Sequence, residues 1–257
     1  MKTKKIYSAK FFRDTMPDWK KKKDPLIAQL FYRPLSFYIS SFCANRNISA
    51  NTVSYFSIGI GLLSCLFFYL SGSICHIIGA LFVNLWLLFD CVDGNIARSI
   101  KKQYFGVFAD ATSCYLLLAF LYPAIGYAVY DEGGLIIDKG NVMIIILGSI
   151  ASSSDIVMRL IYHKYLESER LIPDEMRIYK DENSINGEHA PSLKDKMKEA
   201  MGIGGYLPVF ILIAALLNSL DFIVFYSVII SVLLLICMAI IMIRKTILVN
   251  RQIEYKS

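Results

Sequence analysis

Residues 89–118 read FDCVDGNIARSIKKQYFGVFADATSCYLLL, and this stretch decides both the fold and the chemistry. It joins two long apolar runs, and across the junction stand Asp90, Asp93 and Asp110 with Gly94, Ala97, Arg98 and Gly106. Carboxylates at the margin of an apolar span are costly to bury, so their presence points to function. Asp90 and Asp93 are spaced i,i+3, about 60° apart around a helix, and therefore point the same way. Gly94 permits close backbone approach. Ala97 leaves room for a ligand or a helix, and Arg98 supplies a planar cation suited to phosphate oxygens. Gly106 opens the next span, and Asp110, one turn in, can face the first two carboxylates across an antiparallel helix pair. Three anions gathered this way repel one another unless cations bind. A lone Asp here would be read as a helix-end carboxylate paired with Arg98, Lys101 or Lys102. The full set instead suits divalent metals holding a pyrophosphate.

Outward from this junction the chain is apolar. Of 257 residues 56% are hydrophobic, and the mean hydropathy is +0.50. Charge-free runs of about 17 residues or more are long enough to cross a bilayer. Six such stretches are expected as helices, at about 52–71, 73–89, 107–130, 142–162, 203–217 and 222–243, because an isolated strand leaves its backbone unsatisfied in lipid. The fifth is short and contains Pro208. The fold class that follows is an all-α integral membrane protein, six transmembrane helices preceded by an interfacial amphipathic helix. Residues 1–50 form a basic segment with that helix, 51–249 the membrane domain and 250–257 a tail. With six spans, every one of the 27 Lys and Arg except Lys139 falls on the side of the N-terminus. Both termini, the acidic junction and the polar loop 163–200 are therefore expected in the cytoplasm, with a bacterial inner membrane as the expected location. The first fifty residues are charged and lack an apolar core with a small-residue cleavage site, so no secretory signal is expected.

The net charge of +6 favours anionic lipid headgroups. No basic stripe with interleaved aromatics is present, so nucleic acid is not an expected partner. Six cysteines show no metal-ligand spacing, and disulfides are not expected. Residues 1–24, with Lys20–Lys23, read as a solvated charge run or, more sharply, an electrostatic membrane contact. The stretch 25–42 mixes apolar and aromatic residues with the single charge Arg33 and is interrupted by Pro34. It reads as the interfacial helix. Asn51 and Thr52 are candidate helix caps, and Ser57 and Gly61 make a small-x3-small pair that permits close packing. Asp155 and Arg159, spaced i,i+4 in the fourth span, either neutralise each other or leave Arg159 to bind an anionic substrate group while Asp155 orients it.

The acidic stretch resembles the signature of the CDP-alcohol phosphotransferases, membrane enzymes of phospholipid synthesis, whose pattern is D-x2-D-G-x2-A-R, usually eight residues, then G-x3-D-x3-D. Asp90, Asp93, Gly94, Ala97, Arg98, Gly106 and Asp110 match in order. Arg33-Pro34 and Asn51-Thr52-Val53-Ser54 are similar to the family's N-terminal approach. The resemblance implies a CDP-linked donor, a hydroxyl-bearing acceptor, membrane lipids and release of CMP. It also implies two Mg²⁺ or Mn²⁺ ions at Asp90, Asp93 and Asp110, donor contacts from Asn51, Thr52, Ser54, Gly94, Ala97, Arg98 and Gly106, and a homodimer; Arg159 joins the expected donor contacts from its own position in the fourth span. Two departures stand out. The spacer between Arg98 and Gly106 is one residue short, and Cys114 occupies the place of the fourth aspartate, the expected metal ligand and general base. A thiol of ordinary pKa, about 8.5, is mostly protonated at neutral pH and is a poor ligand for hard metals.

Asp110 or Cys114 is then expected to take the acceptor's proton, unless the acceptor brings an acidic group of its own. Two other readings remain. One is a catalytically inactive relative that binds CDP. The other is a small transporter whose pathway includes Asp155 and Arg159.

Overall fold

The computed structural model describes residues 6–101, 103–172 and 202–254, and among them all regular structure is helical. Two short helices come first, α1 (Ala9–Asp14) and α2 (Asp18–Lys23). A π-helical turn, Ala28–Tyr32, then leads into α3 (Arg33–Asn45). Pro34 has no N–H to donate, and the widened turn just before it absorbs that gap without ending the helix. The stretch 25–42 is thus helical, as expected, in two geometries. One face, with Phe37, Ser40 and Ala44, is buried, while Leu35, Tyr38 and Phe42 are exposed.

The N-terminal segment is not simply a solvated charge run. Phe12 and Met16 are buried in a cluster with Phe37, Val53 and Val92. The Thr15 hydroxyl lies 2.8 Å from that of Ser99, tying α1 to the end of a spanning helix.

Four helices of spanning length follow, α4 (Ala50–Tyr69), α5 (Ser73–Ser99), α6 (Gly106–Glu132) and α7 (Met143–Arg170). Next come the shorter α8 (Leu207–Leu216) and a fifth spanning helix, α9 (Leu220–Glu254). At about 1.5 Å per residue α8 covers some 15 Å, half of a hydrocarbon core roughly 30 Å thick. The stretch expected as the fifth span, 203–217, is therefore shortened, and no sixth helix of spanning length stands among the described residues. Gly202 and Gly205 close a turn before α8. Pro208 sits in its first turn, where a missing N–H is harmless. Asn218, at φ 51°, stops it.

Helix α5 runs ten residues past the expected span end at 89, so Asp90 and Asp93 lie within a continuing helix and Gly94 does not break it. Part of the expected polar loop, up to Arg170, is likewise a continuation of α7. From residue 173 to its end at 200 the loop lies outside the described residues. Ser49, not Asn51 or Thr52, caps α4: its hydroxyl accepts from the Thr52 N–H at 3.1 Å. Asn51 and Thr52 occupy the first turn instead.

Helix α4 is wedged between α5 and α6, which scarcely touch each other along most of their length. The wedge depends on small residues. A Cβ on Gly61 would already stand 3.4 Å from Trp86 and Leu117. The Ser57 and Ser113 hydroxyls meet at 2.6 Å, and Trp86 Nε1 donates to Ser113 at 2.8 Å. The small-x3-small pair therefore does what its spacing promised.

Helix α7 packs on α6 and α9, and α8 packs on α5. Phe68, Leu87, Leu117, Leu118, Leu121, Ile125, Ile144 and Ile211 fill the shared core with 2% exposure or less. Large side chains such as Leu62, Leu66, Ile229, Leu233 and Ile236 point outward, as expected where the surrounding solvent is lipid. At the end remote from the acidic junction, Asp221 is fully buried. It accepts from the N–H groups of Ile136 and Ile137 at 2.6 and 3.2 Å, pinning the α6–α7 connection to the start of α9.

Candidate functional site

The short connection 100–105 brings α5 and α6 together at one end, and α4 begins in the same place. Phe105 takes a left-handed conformation, φ 60°, and Gly106 N–H bonds back to Gln103 O, so the chain turns within a few residues into α6. Asp90 and Asp93 on α5 then meet Asp110 on α6, each offering an oxygen within 4.8 Å of the others. Asp93 is buried, Asp90 half-buried and Asp110 exposed, so the trio forms a pit open at Asp110. Oxygen-only ligands at this separation suit a hard divalent cation. Ser54, buried on α4, donates to Asp93 Oδ2 at 2.6 Å and fixes that carboxylate. Three helices thus position the three acids.

Arg98 lies beside the trio. Its guanidinium rests on Gly94, where an added Cβ would stand 2.7 Å from Nη2 and 2.8 Å from Nη1. The close approach allowed by Gly94 is therefore taken up by Arg98, not left open to a ligand. Ala97 faces the other way, against the cluster around Phe12 and Phe37.

Asn51 donates to the Tyr104 carbonyl at 2.9 Å, tying α4 to the α5–α6 connection. Its Oδ1 is buried without a hydrogen-bond partner, 3.5 Å from where a Cβ on Gly106 would stand. Thr52 is exposed and its hydroxyl meets that of Ser49, away from the acids. Cys114 sits one turn below Asp110 on α6, partly buried, in the field of Arg159, Asp90, Asp155 and Asp110. Arg159 Nε donates to Asp155 Oδ1 at 2.8 Å, and its guanidinium lies 5.7 Å from the Tyr115 ring centre. That pair neutralises itself, yet the Arg159 side chain stays partly exposed, at 32%.

The sequence singles out Arg33 but not its partners Asp24, Lys20 and Asn95. Arg33, its side chain 7% exposed, donates through Nε and Nη2 to both oxygens of Asp24 at 2.6 and 3.1 Å. Lys20 Nζ adds a contact to Asp24 at 2.9 Å. Arg33 Nη1 reaches Asn95 Oδ1 at 3.1 Å. The available signal was the lone charge in an apolar stretch, since a buried arginine must find a partner. Burial pushes the Asp24 carboxyl up. The Arg33 hydrogen bonds and charge, with Lys20, outweigh that and hold it below the usual carboxylate range.

An all-α membrane protein with an acidic pit between its spanning helices is the class that this arrangement defines. Residues 47–169, which carry nearly all of α4 to α7 and all three acids, match the family model of CDP-alcohol phosphatidyltransferases. A comparison with curated proteins finds no match.

Proposed function

We propose that this chain moves a phospho-alcohol or phosphatidyl group from a CDP-linked donor to a hydroxyl acceptor, releasing CMP. The observation that carries the reading is the convergence of Asp90, Asp93 and Asp110 from two helices inside the matched segment. The donor set fits Mg²⁺ or Mn²⁺ held by these three carboxylates. When bound, such ions would neutralise charge on the pyrophosphate and on the leaving CMP. Arg98 adds a fixed cation for the phosphate oxygens. Ser54 serves Asp93 and is not free for the donor, whereas Asn51 Oδ1 offers the first spanning helix's unused acceptor to the nucleotide.

In the reaction the acceptor oxygen forms a bond to the phosphorus that bears the alcohol. The bridging P–O bond breaks, its electron pair leaving with CMP. The hydroxyl proton needs a base, and Asp110 is the exposed carboxylate that a soluble acceptor reaches first. Cys114, a thiol in place of a carboxylate, leaves that role to Asp110.

The basic flank of α2 and α3 supports a cytoplasmic orientation of the pit, with both chain ends on that side. Asp155 and Arg159, already paired, favour substrate contact at the edge of the pit over a transport pathway. The test is CMP release by purified protein with Mg²⁺ or Mn²⁺, CDP-diacylglycerol or CDP-linked small alcohols, and a panel of hydroxyl acceptors. Acceptor-dependent CMP is expected. Metal-dependent CDP binding with no release on any acceptor would instead identify an inactive relative, a reading that Cys114 specifically favours.

A further inference from the structure

Arg98 is anchored by a residue that lies at a variable position of the acidic pattern. Asn95 is 3% exposed. Its Oδ1 accepts from Arg33 Nη1 at 3.1 Å and from Arg98 Nη2 at 3.4 Å. Its Nδ2 donates to Ser36 Oγ at 2.9 Å and Ser40 Oγ at 3.3 Å, and both serines are fully buried. The carboxamide is therefore held on both of its polar atoms and cannot flip without losing bonds in a dry interior.

The anchor continues outward. Arg33 is clamped by both oxygens of Asp24, and Lys20 joins Asp24 from α2. A fixed line thus runs from the N-terminal segment through Asp24, Arg33 and Asn95 to Arg98. Asp24 and Arg33 stand ahead of the matched segment 47–169. Arg98 itself is exposed, and its guanidinium is laid on Gly94 beside the acid trio, so a ligand at the trio meets a cation already in place. A free arginine side chain carries considerable rotamer entropy. Holding it in place beforehand lowers the ordering cost of binding.

We propose that Asn95 is a positioning residue: its side-chain oxygen, fixed by the buried Asp24–Arg33 pair, holds the Arg98 guanidinium toward the pyrophosphate of a CDP-linked donor. The inference rests on the function proposed above. Asn95 touches no substrate and acts only through Arg98, which gives it a distinctive signature. Loss of Asn95 weakens nucleotide binding when Arg98 is present and does nothing further once Arg98 is gone.

The experiment is calorimetric titration of CDP, with Mg²⁺ or Mn²⁺, into the full chain purified in detergent. Asn95→Leu is expected to raise the dissociation constant about five- to tenfold. Asn95→Asp, which keeps an acceptor between the two guanidiniums, should stay near wild type. The double variant N95L/R98A should bind no more weakly than R98A alone. Should N95L fail to fold, as judged by melting and gel filtration, Asn95→Ser, too short to bridge both arginines, replaces it in the same cycle. Multiplicative losses in the double variant, or an unchanged constant in the single one, would overturn the proposal. A wild type that binds no CDP with either metal would remove the functional reading itself, and this inference with it.

Discussion

Cys114 follows Asp110 by one helical turn, at the place where the resembled pattern carries a fourth aspartate. If the thiol is a poor substitute, a carboxylate restored there should help: Cys114→Asp is expected to raise acceptor-dependent CMP release by about tenfold or more, within the range of a general base. A fall in rate would show a pit adapted to the thiol. Gly94 gives a second prediction. A Cβ there would collide with the movable end of Arg98, not with backbone, so Gly94→Ala should displace the guanidinium without unfolding the helix. The Michaelis constant for the CDP-linked donor should rise about tenfold while the melting temperature changes little, which donor-saturation kinetics alongside a melting curve will read. At this scale the sequence was informative wherever spacing decides direction. Asp90 and Asp93 share a face because 3 residues make nearly one turn. Asn95 gave no such sign, because its value lies in Arg33, 62 positions away.

The element that most changes the picture is the N-terminal segment, since α1 to α3 reach into the site through Asp24 and Arg33. Asp24 is held below its unfolded pKa. The pair's stabilisation is therefore complete above the unfolded value of about 3.9 and is lost as pH falls through the lower, folded value. Acid melting curves should show wild type losing stability below about pH 4. Asp24→Asn should be less stable by about 3 kcal/mol at neutral pH, with that acid-dependent component absent, because the substitution leaves Arg33 buried and unpaired.

Helix α7 is set just as tightly against α6. A Cβ on Gly148 would press into the Tyr122 carbonyl, and one on Gly126 would come 2.7 Å from the Ile144 carbonyl. Gly148→Ala should cost about 1–3 kcal/mol, seen as a lower melting temperature in detergent. Apolar runs marked these spanning helices well, because lipid enforces length and hydropathy together. They did not mark where α5 or α7 ends, since both continue as helices beyond the apolar stretch. The cap of α4 was misassigned because Ser49, Asn51 and Thr52 are all competent caps, and only the backbone at Ser49 is extended.

Across the whole molecule, α4 holds α5 and α6 apart for much of their length, and their convergence at Asp90, Asp93 and Asp110 creates the acidic pit. The rest of the bundle serves to hold it there. Ser57, Gly61 and Ser113 seat the wedge, and Asp221 locks the opposite end. The all-helical membrane architecture was legible from the apolar runs, and the acid trio from one 30-residue stretch. The wedge was not, because nothing in the spacing of residues 89–118 says which third helix stands between the two that carry the acids. These three carboxylates together are expected to bind a divalent cation and, with it, a cytidine diphosphate group. Titration of CDP into purified wild type and Asp93→Asn, each with Mg²⁺, Mn²⁺ or EDTA, tests it most directly. Saturable binding by wild type that requires the metal, weakened at least about 100-fold in Asp93→Asn, is the predicted result. Binding that ignores EDTA, or that survives Asp93→Asn unchanged, would contradict it.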